Sequence, residues 1–298
     1  MRAIYREEPC RSALNQVRGM DFNWSLNPYM GCAHRCTFCY VRGFEQRADR
    51  PGDDRYGQSV RVKVNIADVL GQELSRATWT HEEVVVGAAT DPYQPAEGRY
   101  RLTRACIRQL GLHRTPFNII TRGPLVIRDV DVLQEASRRV PVAVNLSVPT
   151  LDERLWRTTE PGTAPPRQRL RALRILRDAG IRAGVALAPI LPGLSDSRES
   201  MAAVVRAARD AGAAFLWTDL VNLRPGTREH FFAHLAQDWP EELDRYQRIF
   251  DGRSYLPSAD RDAIREQLAS LKREMPARRS FVPLIEPPSV PEQLDLAI

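Results

Sequence analysis

The stretch MGCAHRCTFCYVRG, residues 30–43, holds three of the chain's five cysteines within eight positions. Cys32, Cys36 and Cys39 follow the spacing C-x3-C-x2-C, and no fourth cysteine lies close in the sequence. Thiolates spaced in this way along one loop can converge on one metal centre. The stretch therefore predicts a metal-binding loop, and the flanking sequence must show what kind of fold carries it.

Outside this loop, short apolar runs alternate with stretches that have helical spacing. Strands are predicted at 23–29, 83–90, 117–121, 140–148, 181–190 and 213–223. Helices are predicted at 65–76, 104–113, 129–139, 166–180 and 195–212, with Asp129 as a cap for one of them and Gly180 as the end of another. Continuous apolar strands interleaved with helices favour a parallel sheet covered on both faces, curved into a full or partial barrel.

In such barrels the chemistry sits where the strands end, at their carboxyl ends. The cysteine stretch follows the first predicted strand directly. The stretches TDPYQPAEG (90–98), TRGP (121–124) and APILPGLSD (188–196) lie at the ends of later strands. The sequence therefore places its candidate site residues at one edge of the predicted sheet.

The metal centre has three interpretations on residue types alone. A structural zinc site needs four ligands; His34 would supply the fourth from a poor position between two cysteines, or else Cys10 or Cys106 would supply it. An iron–sulfur electron carrier also usually takes four cysteines. Three cysteines alone fit a [4Fe–4S] cluster with one iron left open to another ligand. Cys10 and Cys106 are isolated and favour a role as buried small hydrophobic residues or unused thiols, and five cysteines do not indicate a disulfide framework.

The cysteine spacing, with the aromatic Phe38 before the last cysteine, resembles the signature of the radical S-adenosylmethionine (SAM) superfamily. Across residues 22–225 the chain also resembles the spore photoproduct lyase group of that superfamily. The segments that carry this narrower resemblance are NPYMGCAHRCTFCY, TDPYQPAEGRYRLTR, ITRGPLVIRDVDVL, EPGTAPPRQRLRALRILRDAGI and GVALAPILPGLSD. The resemblance implies an α/β fold, a partial (β/α)6 TIM-like barrel, here followed by a C-terminal helical extension.

The resemblance also implies the cofactors. Cys32, Cys36 and Cys39 would each bind one iron of a [4Fe–4S] cluster, and the amino and carboxylate groups of SAM would chelate the fourth iron. Electron transfer into SAM would give methionine and a 5′-deoxyadenosyl radical that abstracts hydrogen from a substrate. The implied partner is an electron donor, either a reductase or a protein of the flavodoxin or ferredoxin type.

SAM contacts are expected from four strand ends. The loop after 83–90 would receive the SAM amino group, although the TDPY sequence there also fits a plain turn. Arg122 would pair with the carboxylate, the end of 140–148 would reach the carboxylate or ribose, and the segment after 181–190 would contact the adenine. The expected cofactor-binding residues are Gly87, Ala88, Ala89, Thr90, Asp91, Arg122, Asn145, Ser147, Pro189 and Ile190. His34 is expected to face solvent, and the resemblance assigns no role to Glu160.

One departure from the resemblance limits the expected reaction. Spore photoproduct lyase carries a hydrogen-donor cysteine in the loop after the second strand, where this chain has Ala88 and Ala89. Repair by the same route is therefore not expected. Cys106, on the next predicted helix, is the nearest other thiol in the sequence, and a helix position favours a core role.

The charge of the chain bears on the substrate. The net charge is +6, and of the 43 basic residues only Lys63 and Lys272 are lysines. Arginine suits phosphate and base contacts, which favours a nucleic acid or nucleotide substrate; a coding bias toward arginine explains the same count. The alternatives are a radical SAM enzyme acting on a peptide, tRNA or small metabolite, and a zinc-stabilised nucleic-acid-binding protein that uses Cys32, His34, Cys36 and Cys39.

Four segments are expected along the chain. They are an irregular charged lead-in (1–21), the core barrel (22–225), a helical extension (226–280) and a proline-rich tail (281–298). No apolar run reaches the ~18 residues of a membrane-spanning helix, and the N-terminus has no apolar signal region. A cytoplasmic protein with no membrane partner is therefore expected.

Overall fold

Parallel strands form the centre of the fold in the computed structural model, which describes residues 3–273. The strands are β1 (Ile4–Glu8), β2 (Leu14–Gln16), β3 (Trp24–Leu26), β4 (Tyr29–Met30), β5 (Ser59–Lys63), β6 (Val84–Val86), β7 (Phe117–Thr121), β8 (Val142–Ser147), β9 (Ala183–Ile190) and β10 (Leu216–Leu220). The predicted tail at 281–298 and the end of the predicted extension lie outside the described residues.

Helices follow most of these strands. They are α1 (Val41–Arg47), α2 (Ile66–Leu74), α3 (Pro95–Tyr100), α4 (Leu102–Leu112), α5 (Val130–Ser137), α6 (Glu153–Thr159), α7 (Pro166–Asp178), α8 (Arg198–Asp210), α9 (Thr227–Asp238), α10 (Pro240–Ile249) and α11 (Ser258–Arg273). Among residues 3–273, no helix is both long and apolar enough to cross a bilayer.

The main sheet has the strand order β10-β9-β8-β7-β6-β3-β2. The strands from β3 to β10 in this order pair in parallel, and only β2 runs antiparallel, against β3. Because β10 and β2 lie at opposite ends of the order, the sheet stays open. Six parallel strands in an open sheet, interleaved with helices, are the predicted partial (β/α)6 arrangement.

Burial explains why the central strands are apolar throughout. Every residue of β6 and of β8 is buried, since helices cover one face of the sheet and the interior fills the other. The covering helices are amphipathic, as in α8, which buries Met201, Val204 and Val205. Ser197 caps α8, because its hydroxyl accepts a hydrogen bond from the Ser200 backbone N–H. The predicted cap at Asp129 is wrong, because its carboxylate instead accepts hydrogen bonds from Arg104 and Arg128.

The N-terminal stretch is not irregular, contrary to the prediction. β1 pairs in parallel with β5, β4 pairs antiparallel with β5, and these three strands form a second, smaller sheet. β2 joins the edge of the main sheet. The charged residues of β1 face solvent on an edge strand, so an apolar pattern that would have predicted the strand is missing.

The C-terminal helices α9, α10 and α11 are present as predicted, with aromatic anchors. Phe231, Tyr246 and Phe250 are buried and belong to the same apolar core as the barrel strands. Tyr246 stacks on Phe250 with ring centroids 5.8 Å apart. The helical extension therefore packs on the barrel through side chains that share its core.

Candidate cofactor site at the carboxyl ends of the strands

The three clustered cysteines lie on the loop between β4 and α1. Cys32 and Cys36 are buried, Cys39 is partly buried, and no disulfide joins any of the five cysteines, all of which are in the described part of the chain. Two successive turns shape the loop, with backbone hydrogen bonds from Arg35 N–H to the Cys32 carbonyl and from Cys39 N–H to the Cys36 carbonyl. Three unpaired thiols are thus collected on one short, buried segment.

The surroundings of the thiols suit a positively charged group. Burial raises the pKa of Cys36 and of Cys39, the neighbouring cysteines raise them further, and the Arg122 guanidinium opposes that rise. Metal ligation requires the thiolate form, which a bound cation stabilises directly. A buried set of three thiols is therefore suited to an iron–sulfur cluster, whose irons supply the missing positive charge.

Gln94 clamps the start of the cysteine loop. Its side-chain amide donates to the Gly31 carbonyl (3.1 Å) and its oxygen accepts from the Ala33 N–H (2.9 Å). The Thr90 hydroxyl donates to the same Gly31 carbonyl at 2.8 Å. The loop after β6 thus holds the cysteine loop by hydrogen bonds rather than by apolar packing alone.

Arg42 also holds the cysteine loop through hydrogen bonds. Its buried guanidinium donates to the carbonyls of Cys36 and Arg35, both at 3.0 Å, and to those of Gly52 (2.9 Å) and Asp53 (2.7 Å). The guanidinium also lies 4.8 Å from the centre of the Tyr56 ring. One arginine therefore joins the cysteine loop to the segment that precedes β5, a role that the sequence did not indicate.

Two glycines let other segments approach the loop closely. A Cβ atom on Gly57 would overlap the Cys32 carbonyl oxygen, and one on Gly162 would overlap the Ala33 carbonyl oxygen. Gly57 also has φ +75°, a backbone conformation that L side chains rarely adopt. The shape of the cysteine loop thus depends on the absence of a side chain at Gly57 and at Gly162.

Gly57→Ala should therefore destabilise the fold and lower the iron content of reconstituted protein. Gly180→Ala is the matched control, because Gly180 also has positive φ (+79°) but nothing lies within 4 Å of an added Cβ. The control should cost about 1–2 kcal/mol of unfolding free energy, and Gly57→Ala about 1–3 kcal/mol more. Denaturant unfolding and iron analysis measure both effects; equal losses for the two variants would contradict the close contact with Cys32.

His34 is buried, contrary to the prediction that it faces solvent. Its ring is only 4% exposed and its Nδ1 lies 3.2 Å from the Asp91 carboxylate. Burial alone would lower the pKa of His34, but Asp91 and Cys32 outweigh it and raise that pKa to about 10. Burial likewise raises the pKa of Asp91, and His34 with further donors lowers it to about 2. Both shifts indicate a charged His34–Asp91 pair inside the site.

Asp91 is the centre of a larger network. Its carboxylate accepts hydrogen bonds from the Thr121 hydroxyl (2.6 Å), the Arg122 backbone N–H (2.7 Å) and the Tyr93 N–H (2.8 Å). The last of these is the turn that the TDPY sequence suggested. Asp91 thereby connects the ends of β6 and β7 to the cysteine loop.

A triad of mostly buried charges lies near Cys36. The Glu160 carboxylate is 1% exposed and accepts from Arg122 Nε at 2.5 Å and from Arg169 Nη2 at 2.7 Å. Arg122 also donates to the Ala188 carbonyl at 3.3 Å, and Arg169 to the Ser147 carbonyl at 2.8 Å. The triad therefore joins the ends of β7, β8 and β9, which gives Glu160 the role that the sequence left open.

The remaining predicted cofactor-binding residues lie along the same strand ends. The Ala88 carbonyl accepts a hydrogen bond from the Tyr40 hydroxyl, and Ala89 N–H donates to the Asn27 side chain at 2.8 Å. Asn145 is buried on β8 and donates to the Asn118 side chain. The others are Gly87 with φ +95°, the buried Ser147 and Ile190, and the half-buried Pro189. Their contacts to SAM stay predictions.

Zinc ligation by Cys32, His34, Cys36 and Cys39 does not match these positions. Within residues 3–273, the one set of three His, Cys, Asp or Glu ligand atoms within 4.8 Å of one another lies elsewhere, at Asp54, His230 and His234. A single ion would need its ligands that close, whereas a cluster of four irons spans more space. Cys106 is fully buried in the core on α4, as expected of a packing residue.

Comparison with known proteins agrees with this geometry. Residues 26–205 match the sequence model of the Radical SAM superfamily. An uncharacterized Mycobacterium tuberculosis protein is 39% identical over 271 residues, covering 90% of this chain and 79% of that protein. An uncharacterized Methanocaldococcus jannaschii protein is 25% identical over 234 residues, covering 78% and 83%.

Solved structures of spore photoproduct lyase share the fold. A mutant with bound AdoMet and dinucleoside spore photoproduct superimposes with a TM-score of 0.69 at 16% identity, covering 92% of this chain and 80% of that chain. The structure of another lyase mutant gives a TM-score of 0.68 at 15% identity. The predicted partial barrel is thereby confirmed. On its three-cysteine loop, its strand order and these matches, the chain belongs to the radical SAM superfamily.

Proposed function

We propose that the chain is a radical SAM enzyme whose core, residues 22–225, holds a [4Fe–4S] cluster through Cys32, Cys36 and Cys39. The observation that carries the proposal is a buried loop of three unpaired thiols, clamped by Gln94 and Arg42, at the carboxyl ends of parallel strands. When bound, the cluster supplies the electron that cleaves SAM and so starts hydrogen abstraction from the substrate.

Arg122 is the residue best placed to act on both cofactors. Its charge lowers the pKa of Cys36 against the effect of burial, and its guanidinium lies 5.6 Å from the centre of the Phe38 ring. Nε and Nη2 are held by Glu160 and by the Ala188 carbonyl. We assign the remaining nitrogen, Nη1, to the SAM carboxylate, because a guanidinium held on one side binds a carboxylate with little loss of freedom.

In the loop after β6, some residues are proposed to contact SAM and others to position the surrounding protein segments. Thr90 and Asp91 already bond to Gly31, His34, Thr121 and Arg122, so we assign them to positioning. The carbonyls from Gly87 to Ala89 are assigned to the SAM amino group. Asn145 and Ser147 are assigned to the carboxylate or ribose, and Pro189 and Ile190 to the adenine.

The proposed substrate is a nucleic acid or nucleotide. The net charge of +6, carried almost entirely by arginine, favours an anionic partner. The fold is shared with a lyase whose solved structure contains a dinucleoside photoproduct. Because Ala88 and Ala89 stand on the loop after β6, the hydrogen returned to the product must come from a group other than a cysteine there. A reductase, or a flavodoxin- or ferredoxin-type protein, is the proposed electron donor.

Anaerobic reconstitution tests the chemistry. Purified protein treated with iron, sulfide and a chemical reductant should bind about four irons per chain and convert SAM to methionine and 5′-deoxyadenosine. Iron and sulfide analysis with chromatography of the products measures both. Protein that holds no cluster, or that holds one and leaves SAM intact, would overturn the proposed function.

The substrate class predicts a strong salt dependence of binding. If a DNA oligonucleotide contacts several arginines, its affinity should fall by about 10³–10⁵ between 50 and 200 mM salt for 6–10 phosphate contacts. Fluorescence anisotropy with single- and double-stranded oligonucleotides measures the slope. Absent or salt-independent binding of DNA would favour a peptide or small-metabolite substrate, and salt-dependent binding of a labelled tRNA without binding of DNA would favour tRNA.

A further inference from the structure

A second group of metal-ligating side chains lies outside the cysteine loop. His230 and His234 are four residues apart on α9, so both lie on one face of that helix. Asp54, on the segment between α1 and β5, faces them: its Oδ1 lies 3.3 Å from His234 Nε2 and 3.8 Å from His230 Nδ1. The two imidazole rings have centroids 4.6 Å apart.

We propose that Asp54, His230 and His234 bind a divalent transition-metal ion, such as Zn²⁺, at a site separate from the cysteine loop. A set of two imidazole nitrogens and one carboxylate oxygen favours Zn²⁺ and similar first-row transition-metal ions over Mg²⁺ or Ca²⁺, which prefer oxygen ligands. Three protein ligands leave at least one coordination position for water.

The distances between the ligand atoms fit one shared ion. Ligands about 2.0–2.1 Å from a tetrahedral metal lie about 3.3–3.4 Å from each other. The Asp54–His234 distance of 3.3 Å has this value, the Asp54–His230 distance is 3.8 Å, and all three ligand atoms lie within 4.8 Å of one another. An ordinary ion pair would explain the contact between Asp54 and His234. It would not explain why the imidazole of His230 also lies next to the same carboxylate oxygen.

The state of His230 is the second observation that points to a ligand. Its side chain is 7% exposed, its Nε2 is buried without a hydrogen-bond partner, and the distance from Nδ1 to Asp54 exceeds a hydrogen bond. A buried imidazole with unused bonding capacity is available to a metal ion.

The site is open to solvent, and its negative charge is only partly offset by a nearby positive group. The Asp54 side chain is 85% exposed, which gives an ion a path of entry. Arg42 is the positive group felt by His230, but its guanidinium is held by backbone carbonyls and by the Tyr56 ring. Asp53 adds a second negative charge near His230.

A metal here would join the helical extension to the segment that supports the cysteines. The Tyr56 hydroxyl lies 3.9 Å from Cys39 Sγ, and Gly57 contacts the Cys32 carbonyl, both within three residues of Asp54. From the start of α9, the Thr227 hydroxyl donates to the Cys39 carbonyl at 3.1 Å. The ion would therefore link the segment around Asp54 to α9, and both of these contact the cysteine loop. This role does not depend on the reaction that the enzyme catalyses.

Metal analysis of the full chain tests the site. Protein with its cysteine site filled by reconstitution is dialysed against Zn²⁺, and bound zinc is counted beside iron. The wild type should bind one zinc per chain, and His234→Ala and Asp54→Asn should bind it at least tenfold more weakly. His113→Ala, which removes the histidine directly after α4, is the matched control and should bind like the wild type. Equal zinc binding by the wild type and the Asp54 and His234 variants would overturn the proposal.

A measurement on the wild type alone tests the site even if the variants fail to fold. Diethylpyrocarbonate modifies accessible histidines, and peptide mass spectrometry reports each one. Added Zn²⁺ should slow modification of His234 and leave that of His113 unchanged. If Asp54 and His234 form an ion pair only, zinc will not protect His234, and the proposal is wrong.

Discussion

Replacing Cys36 by alanine should abolish cluster binding and lower SAM cleavage by at least ~100-fold, which corresponds to about 3 kcal/mol of activation free energy. Cys36 is buried, unpaired and next to the Arg122 charge, so no other described thiol can take its position on the loop. Iron and sulfide content, the visible absorbance of the cluster and the yield of 5′-deoxyadenosine measure the loss. Cys32→Ala and Cys39→Ala should behave in the same way.

Cys10→Ala is the matched control for these variants. Cys10 is half-buried and its backbone, not its thiol, bonds to the Asn65 side chain at 2.7 and 3.1 Å. This variant should keep the iron content and the SAM cleavage of the wild type. If Cys10→Ala loses as much iron as Cys36→Ala, or if Cys36→Ala loses none, the assignment of the cluster to the loop between β4 and α1 is wrong.

Glu160→Ala should lower the free energy of unfolding by about 3–5 kcal/mol, because it leaves two buried guanidinium groups without their shared carboxylate. The Arg169 side chain is fully buried and that of Arg122 is mostly buried, so water cannot replace the lost contacts. The same change frees the ends of β7, β8 and β9 from one another. Chemical denaturation of the cluster-free protein measures the stability, and SAM binding by the reconstituted protein should weaken in parallel.

The exposed ion pair on α6 is the control for this prediction. Glu153 and Arg157 are four residues apart with both side chains more than two-thirds exposed. Glu153→Ala should therefore change the stability by about 0.5 kcal/mol or less. A comparable small loss for Glu160→Ala would show that the buried triad does not hold the strand ends together.

The structure explains how a short motif becomes a site. The spacing of three cysteines brings the thiols onto one loop, but the shape of that loop depends on partners from three other regions. Gln94 and Asp91 follow β6, Arg42 lies on α1, and Thr159 accepts a hydrogen bond from the Thr37 N–H at 2.9 Å. Radical chemistry requires a fixed geometry and the exclusion of water, and a loop held on several sides is suited to both.

The sequence by itself determined the alternation of six apolar strands with helices and the position of the cysteines at a strand end. Both are local properties, because an apolar run and a spacing within eight residues involve only neighbours along the chain. The periodicity of apolar residues in each run also predicts which side chains are buried. The helices α2, α4, α5, α7 and α8 were predicted for the same reason.

Only the tertiary structure decided which side chains complete the site. His34 is buried because Asp91, far along the chain, packs against it, and Glu160 bridges Arg122 and Arg169 across 38 and 9 residues. Asp54 meets His234 across 180 residues, and Thr227 meets Cys39 across 188. Such pairs have no local signature, because whether a polar residue is buried with a partner depends on how all the strands and helices pack together.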